Sequence, residues 1–278
     1  MTIRIGVIGC GGRMGRLLLR TILEEEGCRL TGGVEQARSA EVGQDLGRLA
    51  GLEPVGLKST SDARLLVEES DVVIEFTSPE ATVHHAGLAA AAGRAHVIGT
   101  TGLSPSQKAA IARAAERAPI VLAANMSLGV TLLAALVEQV ARSLDAGWDI
   151  EIVEMHHRMK VDAPSGTALL LGEAAATGRG AKLADLAQRA RDGITGARKP
   201  GAIGFAALRG GDVVGEHRVL LASMGERIEL AHVATDRAIF ARGAVKSAQW
   251  AVGRKPGLYG IRDVLGLASS QERRSSFD

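Results

Sequence analysis

The stretch Ile3-Arg-Ile-Gly-Val-Ile-Gly-Cys-Gly-Gly-Arg-Met-Gly15 decides the fold. Ile3–Ile8 has the β-branched content of a buried strand, and Arg13–Glu26 carries Met14, Leu17, Leu18 and Ile22 at helical spacing. Between them Gly9, Gly12 and Gly15 stand in a G-x-x-G-x-x-G spacing, not the commoner G-x-G-x-x-G. Glycines there let the backbone turn tightly and approach a pyrophosphate, whose charge is attracted by amides at the helix start. A glycine-rich turn without a ligand has the same local pattern, so context must decide. Arg29–Glu35 reads as the next strand, and Glu35 ends it about 20 residues past Gly15, where a carboxylate can accept from ribose hydroxyls. Glu35 also repels a 2′-phosphate unless a cation offsets it. The next residue, Gln36, is neutral, and Arg38 is the nearest candidate cation. The expected cofactors are NADH and NADPH, with NADH bound at least as well.

Outward from this turn, short Val/Ile-rich runs alternate with longer amphipathic ones. Asp71–Phe76, Ala95–Ile98 and Pro119–Ala123 read as further strands, with helices at Glu80–Ala92 and Ser106–Arg117. A strand returns beside its predecessor in the same direction only through a crossover, so this half is predicted to be a Rossmann-type, doubly wound parallel α/β sheet. The second half reads as a separate α+β domain. It has a long helix at Ser127–Leu144, a strand at Asp149–His157 and a helix starting near Ser165. Three strand-like runs follow from Ile203 to Thr235. The turn signals at 209–212 and 224–226 between them predict an antiparallel meander. Asp236–Val252 reads as a helix. The expected division is 1–126 plus 241–278 for dinucleotide binding and 127–240 for substrate binding and assembly.

Composition narrows the partners. With 33 Lys+Arg against 31 Asp+Glu, the net charge of +2 gives no basic face for nucleic acid, and 3% aromatic residues leave few platforms for stacking bases. Cys10 and Cys28 cannot build a disulfide framework, which favours a reducing compartment. The longest apolar runs, near Ala86–Ala92 and Val130–Val137, are too short to cross a bilayer. The start enters strand-like sequence directly, without the parts of an export signal. A cytoplasmic protein, with no nucleic-acid or membrane partner, is expected.

The segment Glu154-Met-His-His-Arg-Met-Lys-Val-Asp-Ala-Pro-Ser-Gly-Thr-Ala168 gathers imidazoles, cations and a helix start. His156 and His157 end a strand, so their side chains diverge unless the strand stops or bends there. Ser165 is a cap candidate, with backbone amides following at Gly166 and Thr167. Lys160, one imidazole and these amides suit a carboxylate, while the other imidazole can supply a proton. The plainer reading is a solvated loop between strand and helix. A metal site is disfavoured because no second Cys/His cluster stands at ligand spacing. His84 and His85 read as helix surface, and His96, His217 and His232 as structural.

These motifs, with Glu75-Phe-Thr-Ser-Pro-Glu80, Ile98-Gly-Thr-Thr-Gly102, Ala124-Asn-Met-Ser-Leu-Gly-Val130 and Gly211-Asp-Val-Val-Gly-Glu-His217, resemble in order the 4-hydroxy-tetrahydrodipicolinate (dihydrodipicolinate) reductase family of bacterial lysine biosynthesis. The resemblance spans nearly the whole chain. It implies reduction of a cyclic dicarboxylate imine with NADH or NADPH. It assigns cofactor contacts to Gly9, Cys10, Gly11, Gly12, Arg13, Met14 and Glu35. Gly99, Thr100 and Thr101 with Ala123, Ala124, Asn125 and Met126 fall on the nicotinamide side, and Arg237 and Phe240 near the hinge. His156 and Lys160 take the acid roles, while His157 and Lys160, with Gly166 and Thr167, bind substrate carboxylates. A homotetramer built on the second domain's sheet is implied, with the C-terminal segment returning to the first domain. Gln36 departs from the Arg of many members, which puts the family's dual cofactor use in question here. A semialdehyde dehydrogenase needs a nucleophilic cysteine in its catalytic half, which this chain lacks. A non-catalytic dinucleotide sensor would have no use for His156 and Lys160 together.

Overall fold

The computed structural model describes residues 2–267. In chain order the first half contains β1 (Ile3–Ile8), α1 (Arg13–Glu24), β2 (Cys28–Val34), α2 (Leu46–Leu49), α3 (Ala63–Glu69), β3 (Val72–Glu75), α4 (Pro79–Ala92), β4 (Ala95–Ile98), α5 (Pro105–Ala115) and β5 (Pro119–Leu122). Then come α6 (Leu128–Ser143), β6 (Asp149–His156), α7 (Gly166–Gly178), α8 (Leu183–Leu186), β7 (Ala187–Gln188), β8 (Ile203–Arg209), β9 (Gly215–Ser223), β10 (Glu226–Ala234), α9 (Ala238–Ala251), β11 (Gly257–Tyr259) and α10 (Ile261–Val264). The chain forms two compact units. One joins the residues up to Leu128 with those from Ala238 onward, and the other is Gly129–Arg237.

The first unit is a six-stranded, wholly parallel sheet in the order β11-β5-β4-β3-β1-β2. Its strands are mostly apolar because both faces are covered, with Arg4, Arg29, Thr31, Glu75 and His96 as exceptions. Ile5, Val7, Val72, Ile74 and Val97 join one core with Leu18 and Leu19 of α1 and Ala244 and Ala248 of α9. The alternate residues Ile8 and Val73 meet Leu66 and Val67 of α3, and Ile98 and Ile120 meet Ile111 of α5. Strand order reverses between β1 and β3, and in such sheets ligands sit beyond the strand C-termini at that point. Helices α4 and α5 each start one residue before the expected Glu80 and Ser106, where Ser78 and Ser104 cap them, the latter through a full capping box with Gln107. Helix α3 and strand β11 were not foreseen. β11 pairs in parallel with β5, which places that part of the tail in this unit. The tail beyond residue 267 lies outside the described residues.

The second unit is a mixed sheet in the order β10-β9-β6-β8-β7, with α6 and α7 contributing Leu133, Val137, Leu171 and Ala175 to one core with Ile150, Ile152, Ile203 and Val219. This corrects the expected meander. β9 and β10 do form an antiparallel hairpin, but β8 does not pair with β9. Strand β6 lies between them, parallel to β8 and antiparallel to β9. The Gly-Gly segment after β8 is a bridge and not a tight hairpin turn. It passes the end of β6, where His157 N donates to Val213 O (2.7 Å), Arg158 N to Gly211 O (3.2 Å) and Gly210 N to His156 O (2.9 Å). The crossing places Arg209 in register with His156.

Candidate active site

At the end of β1 the chain turns at Gly9, whose φ of +79° strains any residue with a side chain. Gly15 is needed for a different reason: a Cβ there falls 2.0 Å from Gly9 O. Gly12 is the N-cap of α1 and supplies no side-chain cap to the amides of its first turn. Arg13 is exposed and Met14 half-buried. Glu35 directly follows β2. Its Oε2 accepts from Gly11 N at 3.0 Å and its Oε1 from Gln36 N at 3.1 Å, which brings the predicted acid onto the predicted turn. Gly9, Gly12, Glu35 and Gln36 line a cleft of about 980 Å³ together with Phe76 and Thr77 from the end of β3. The site lies at the strand-order reversal, and its glycine turn and bare helix start fit a dinucleotide pyrophosphate. The Cys10 side chain is buried in the core and does not line the cleft, and burial followed by the nearby Glu35 pushes the thiol up to about 12.

The remaining cofactor candidates fall into three groups. Thr100, Thr101, Ala123 and Ala124 line a second cavity of about 650 Å³ at the ends of β4 and β5. Gly99 is packed against the Phe76 ring, which a Cβ there would strike at 2.2 Å. Asn125 Oδ1 accepts from Ser127 N at 2.9 Å, while the Met126 side chain is buried in the core. Phe240, in the first turn of α9, also packs on that core, and Arg237 just before the helix is exposed. Neither lines the cleft beside the glycine turn.

Sequence reasoning missed a cluster behind this cleft. Glu75, fully buried at the end of β3, meets His96 Nε2 and His85 Nδ1 at 3.0 Å each, Thr77 Oγ1 at 2.7 Å and Thr82 Oγ1 at 2.5 Å. Thr100 Oγ1 accepts from Thr77 N at 3.0 Å, so the loops after β3 and β4 are tied together over the carboxylate. Burial works against ionisation of Glu75, but hydrogen bonds from His85 and His96 outweigh it and hold the group well below the usual carboxylate range. His84 is exposed as expected, whereas His85 is not free helix surface: it turns inward to Glu75 because α4 packs over β3 and β4. His96 is buried on the same acid.

In the second unit, β6 alternates half-buried and buried residues, which puts Ile150, Ile152, Glu154 and His156 on one face. The strand stops at His156, so His157 leaves the ladder half-buried. His156 Nδ1 lies 2.6 Å from Glu154 Oε2. Arg209 grips the same carboxylate twice, at 2.8 and 2.9 Å, and Ser165 N donates to Oε1 at 3.1 Å. Burial pushes the Glu154 carboxyl up, but Arg209, His156 and the Ser165 amide together bring it below the usual range. Lys160 pairs with Asp162 at 2.7 Å.

Ser165 caps α7 by accepting from Ala168 N at 3.1 Å, as the sequence indicates. Its hydroxyl hydrogen is then available for His217 Nε2, 3.0 Å away. Burial, then repulsion from His156, lower His217 to about 4, so it is a neutral acceptor near neutral pH. Gly166 is exposed and Thr167 half-buried in the first turn of α7. Gly215 leaves space beside His156 Nε2, where a Cβ would sit at 3.0 Å. His156, Ser165 and the start of α7 are thus brought together. The sequence signal for Glu154 was its two-residue spacing from His156 on a strand. Arg209 had no local signal, because its place depends on β8 lying beside β6. Among the described residues no group of three or more His, Cys, Asp or Glu is placed to hold a metal ion, and no helix is long and apolar enough to cross a membrane.

A glycine turn at the strand-order reversal of a parallel sheet, an acid after the second strand, and a separate unit bearing an imidazole beside a capped helix start define an NAD(P)-dependent oxidoreductase. The sequence matches "Dihydrodipicolinate reductase, N-terminus" over residues 3–126 and "Dihydrodipicolinate reductase, C-terminus" over 129–265. A 4-hydroxy-tetrahydrodipicolinate reductase from Parvibaculum lavamentivorans is 60% identical over 266 residues, 95% of this chain and 98% of the relative. One from Rhodopseudomonas palustris is 58% identical over 265 residues, with the same shares covered. The chain belongs to the 4-hydroxy-tetrahydrodipicolinate reductase family. In fold it is similar to a dipicolinate-bound dihydrodipicolinate reductase from Paenisporosarcina sp. TG-14, at a TM-score of 0.73 and 23% identity over 95% of this chain and 99% of that one. An aspartate semialdehyde dehydrogenase from Vibrio cholerae shares the fold more distantly, at a TM-score of 0.53 and 12% identity over 90% of this chain and 98% of that one.

Proposed function

We propose that this chain reduces (2S,4S)-4-hydroxy-2,3,4,5-tetrahydrodipicolinate to (S)-2,3,4,5-tetrahydrodipicolinate with loss of water, in lysine biosynthesis by the diaminopimelate route. The observation that carries the reading is the single cluster formed by His156, Glu154 and the capped start of α7, on a chain about 60% identical to named reductases of this substrate. A reduced nicotinamide, when bound, supplies hydride to C4 of the conjugated imine left by dehydration. Gly9 through Met14 and Glu35 bind the dinucleotide, with Gly99, Thr100, Thr101 and the backbone of Ala123–Met126 toward the nicotinamide and Arg237 and Phe240 near it.

The substrate is a small dicarboxylate. One carboxylate takes the amides of Gly166 and Thr167, and the other His157 and Lys160. Electron density left on the enamine is quenched by a proton from His156 or Lys160, a role worth typically 10²–10⁴-fold. Lys160 exchanges Asp162 for the substrate as it binds. NADH serves at least as well as NADPH, because Glu35 disfavours a 2′-phosphate and Gln36 brings no charge. The working form is a cytoplasmic homotetramer built on the second unit's sheet, whose Leu208 and Val233 are 49% and 58% exposed. No metal takes part. A dinucleotide sensor has no use for the buried Glu154–His156 pair.

A coupled assay that generates the unstable substrate in place and follows loss of NADH absorbance tests the reaction. Substrate-dependent oxidation is expected with each cofactor, and none with either would refute the proposal.

A further inference from the structure

We propose that Glu154 is a positioning residue for this reaction, its one carboxylate orienting the proton donor His156 through Oε2 and the carboxylate-binding start of α7 through Oε1. The inference rests on the reading of His156 as an acid in the mechanism. Four donors surround the two oxygens: His156 Nδ1 at 2.6 Å, Arg209 Nη1 and Nη2 at 2.8 and 2.9 Å, and Ser165 N at 3.1 Å. Those contacts use the acceptor sites a carboxylate offers, so the group has no second orientation of equal energy.

An ionised carboxylate only accepts. His156 Nδ1 must therefore carry a hydrogen, which leaves Nε2 as the atom that exchanges a proton, on the side that Gly215 keeps open. Arg209 Nη2 also donates to Asp162 O at 2.6 Å, so the loop bearing Lys160 is tied to the same carboxylate through the guanidinium. The acid is 1% exposed. It touches no position assigned to substrate other than His156, and it acts through that imidazole and through the backbone of Ser165.

A plainer role, in which Glu154 only neutralises Arg209, makes a different prediction in a double-mutant cycle. Glu154→Gln keeps the shape and removes the charge. It is expected to lower kcat roughly 10- to 100-fold, with the KM for NADH unchanged. In a His156→Ala background the same change should alter kcat by less than about twofold, because the imidazole through which it reaches the proton transfer is gone, while its hold on the start of α7 through Ser165 N remains and is read in the KM for substrate. An equal loss in both backgrounds, or wild-type kcat for Glu154→Gln, overturns the inference. Wild-type turnover by His156→Ala alone removes the mechanistic reading and this inference with it, and is recognised from that single variant. Should Glu154→Gln fail to fold, ¹⁵N spectra of the histidine-labelled wild-type protein decide. An Nδ1–H tautomer at His156 supports the proposal, and an Nε2–H tautomer refutes it.

Discussion

Two buried carboxylates stand at strand ends in the two units, and they are held by opposite means. Among the described residues Glu75 in the first unit has imidazole and threonine partners only, with no permanent cation to balance it. Glu154 in the second has the bidentate guanidinium of Arg209 and shares its charge with one histidine and one helix start. His96 beside Glu75 is wholly enclosed, whereas His156 beside Glu154 has Nε2 next to a glycine. The first arrangement fastens two loops beside the cleft at the glycine turn. The second, in the proposed mechanism, presents a proton-exchanging atom. A buried acid–histidine pair thus says little until the far side of the imidazole is known.

The contrast is broken or sharpened most strongly at His156. His156→Ala is expected to lower kcat by about 10²–10⁴-fold at unchanged NADH affinity, read by steady-state kinetics and cofactor titration. Glu75→Ala should act on the fold and the cofactor. It strips the buried hydroxyls and imidazoles of their acceptor, at an expected cost of about 3–5 kcal/mol in denaturant unfolding, and raises the KM for NADH. A third effect follows from His217. The unfolded chain takes up a proton below about 6.5, while the folded ring resists until about 4, so stability falls as pH drops through that window. The loss by pH 4.5 is about 2–3 kcal/mol. His217→Asn should flatten this part of the stability profile. The smallest change is Ser165→Ala, which removes the cap of α7 for about 1 kcal/mol and raises the KM for substrate but not for NADH.

The first unit was largely legible because its determinants are local. The glycine spacing at 9, 12 and 15, the apolar strand runs and the starts of α4 and α5, found one residue before their expected places, each depend on a few neighbouring residues. In the second unit, the Ser165 cap was legible for the same reason, and so was the end of β6, expected at His157 and found at His156. The rest depends on topology. Arg209 reaches Glu154 only because β6 separates β8 from β9, and the Gly-Gly turn signal after Arg209 reads equally well as a hairpin or as a bridge. His85 looked like helix surface because periodicity along α4 does not reveal that a buried acid on β3 faces it. Glu75 and Glu154 were visible as letters within motifs, but their burial was not.

The central claim is that dinucleotide and dicarboxylate are held by different units, and hydrogen–deuterium exchange with each ligand in turn tests it most directly. NADH should protect residues 9–15 and the segment around Glu35, whereas pyridine-2,6-dicarboxylate should protect residues 154–168. Dicarboxylate protection confined to the glycine-rich turn, with 154–168 unchanged, would contradict the account.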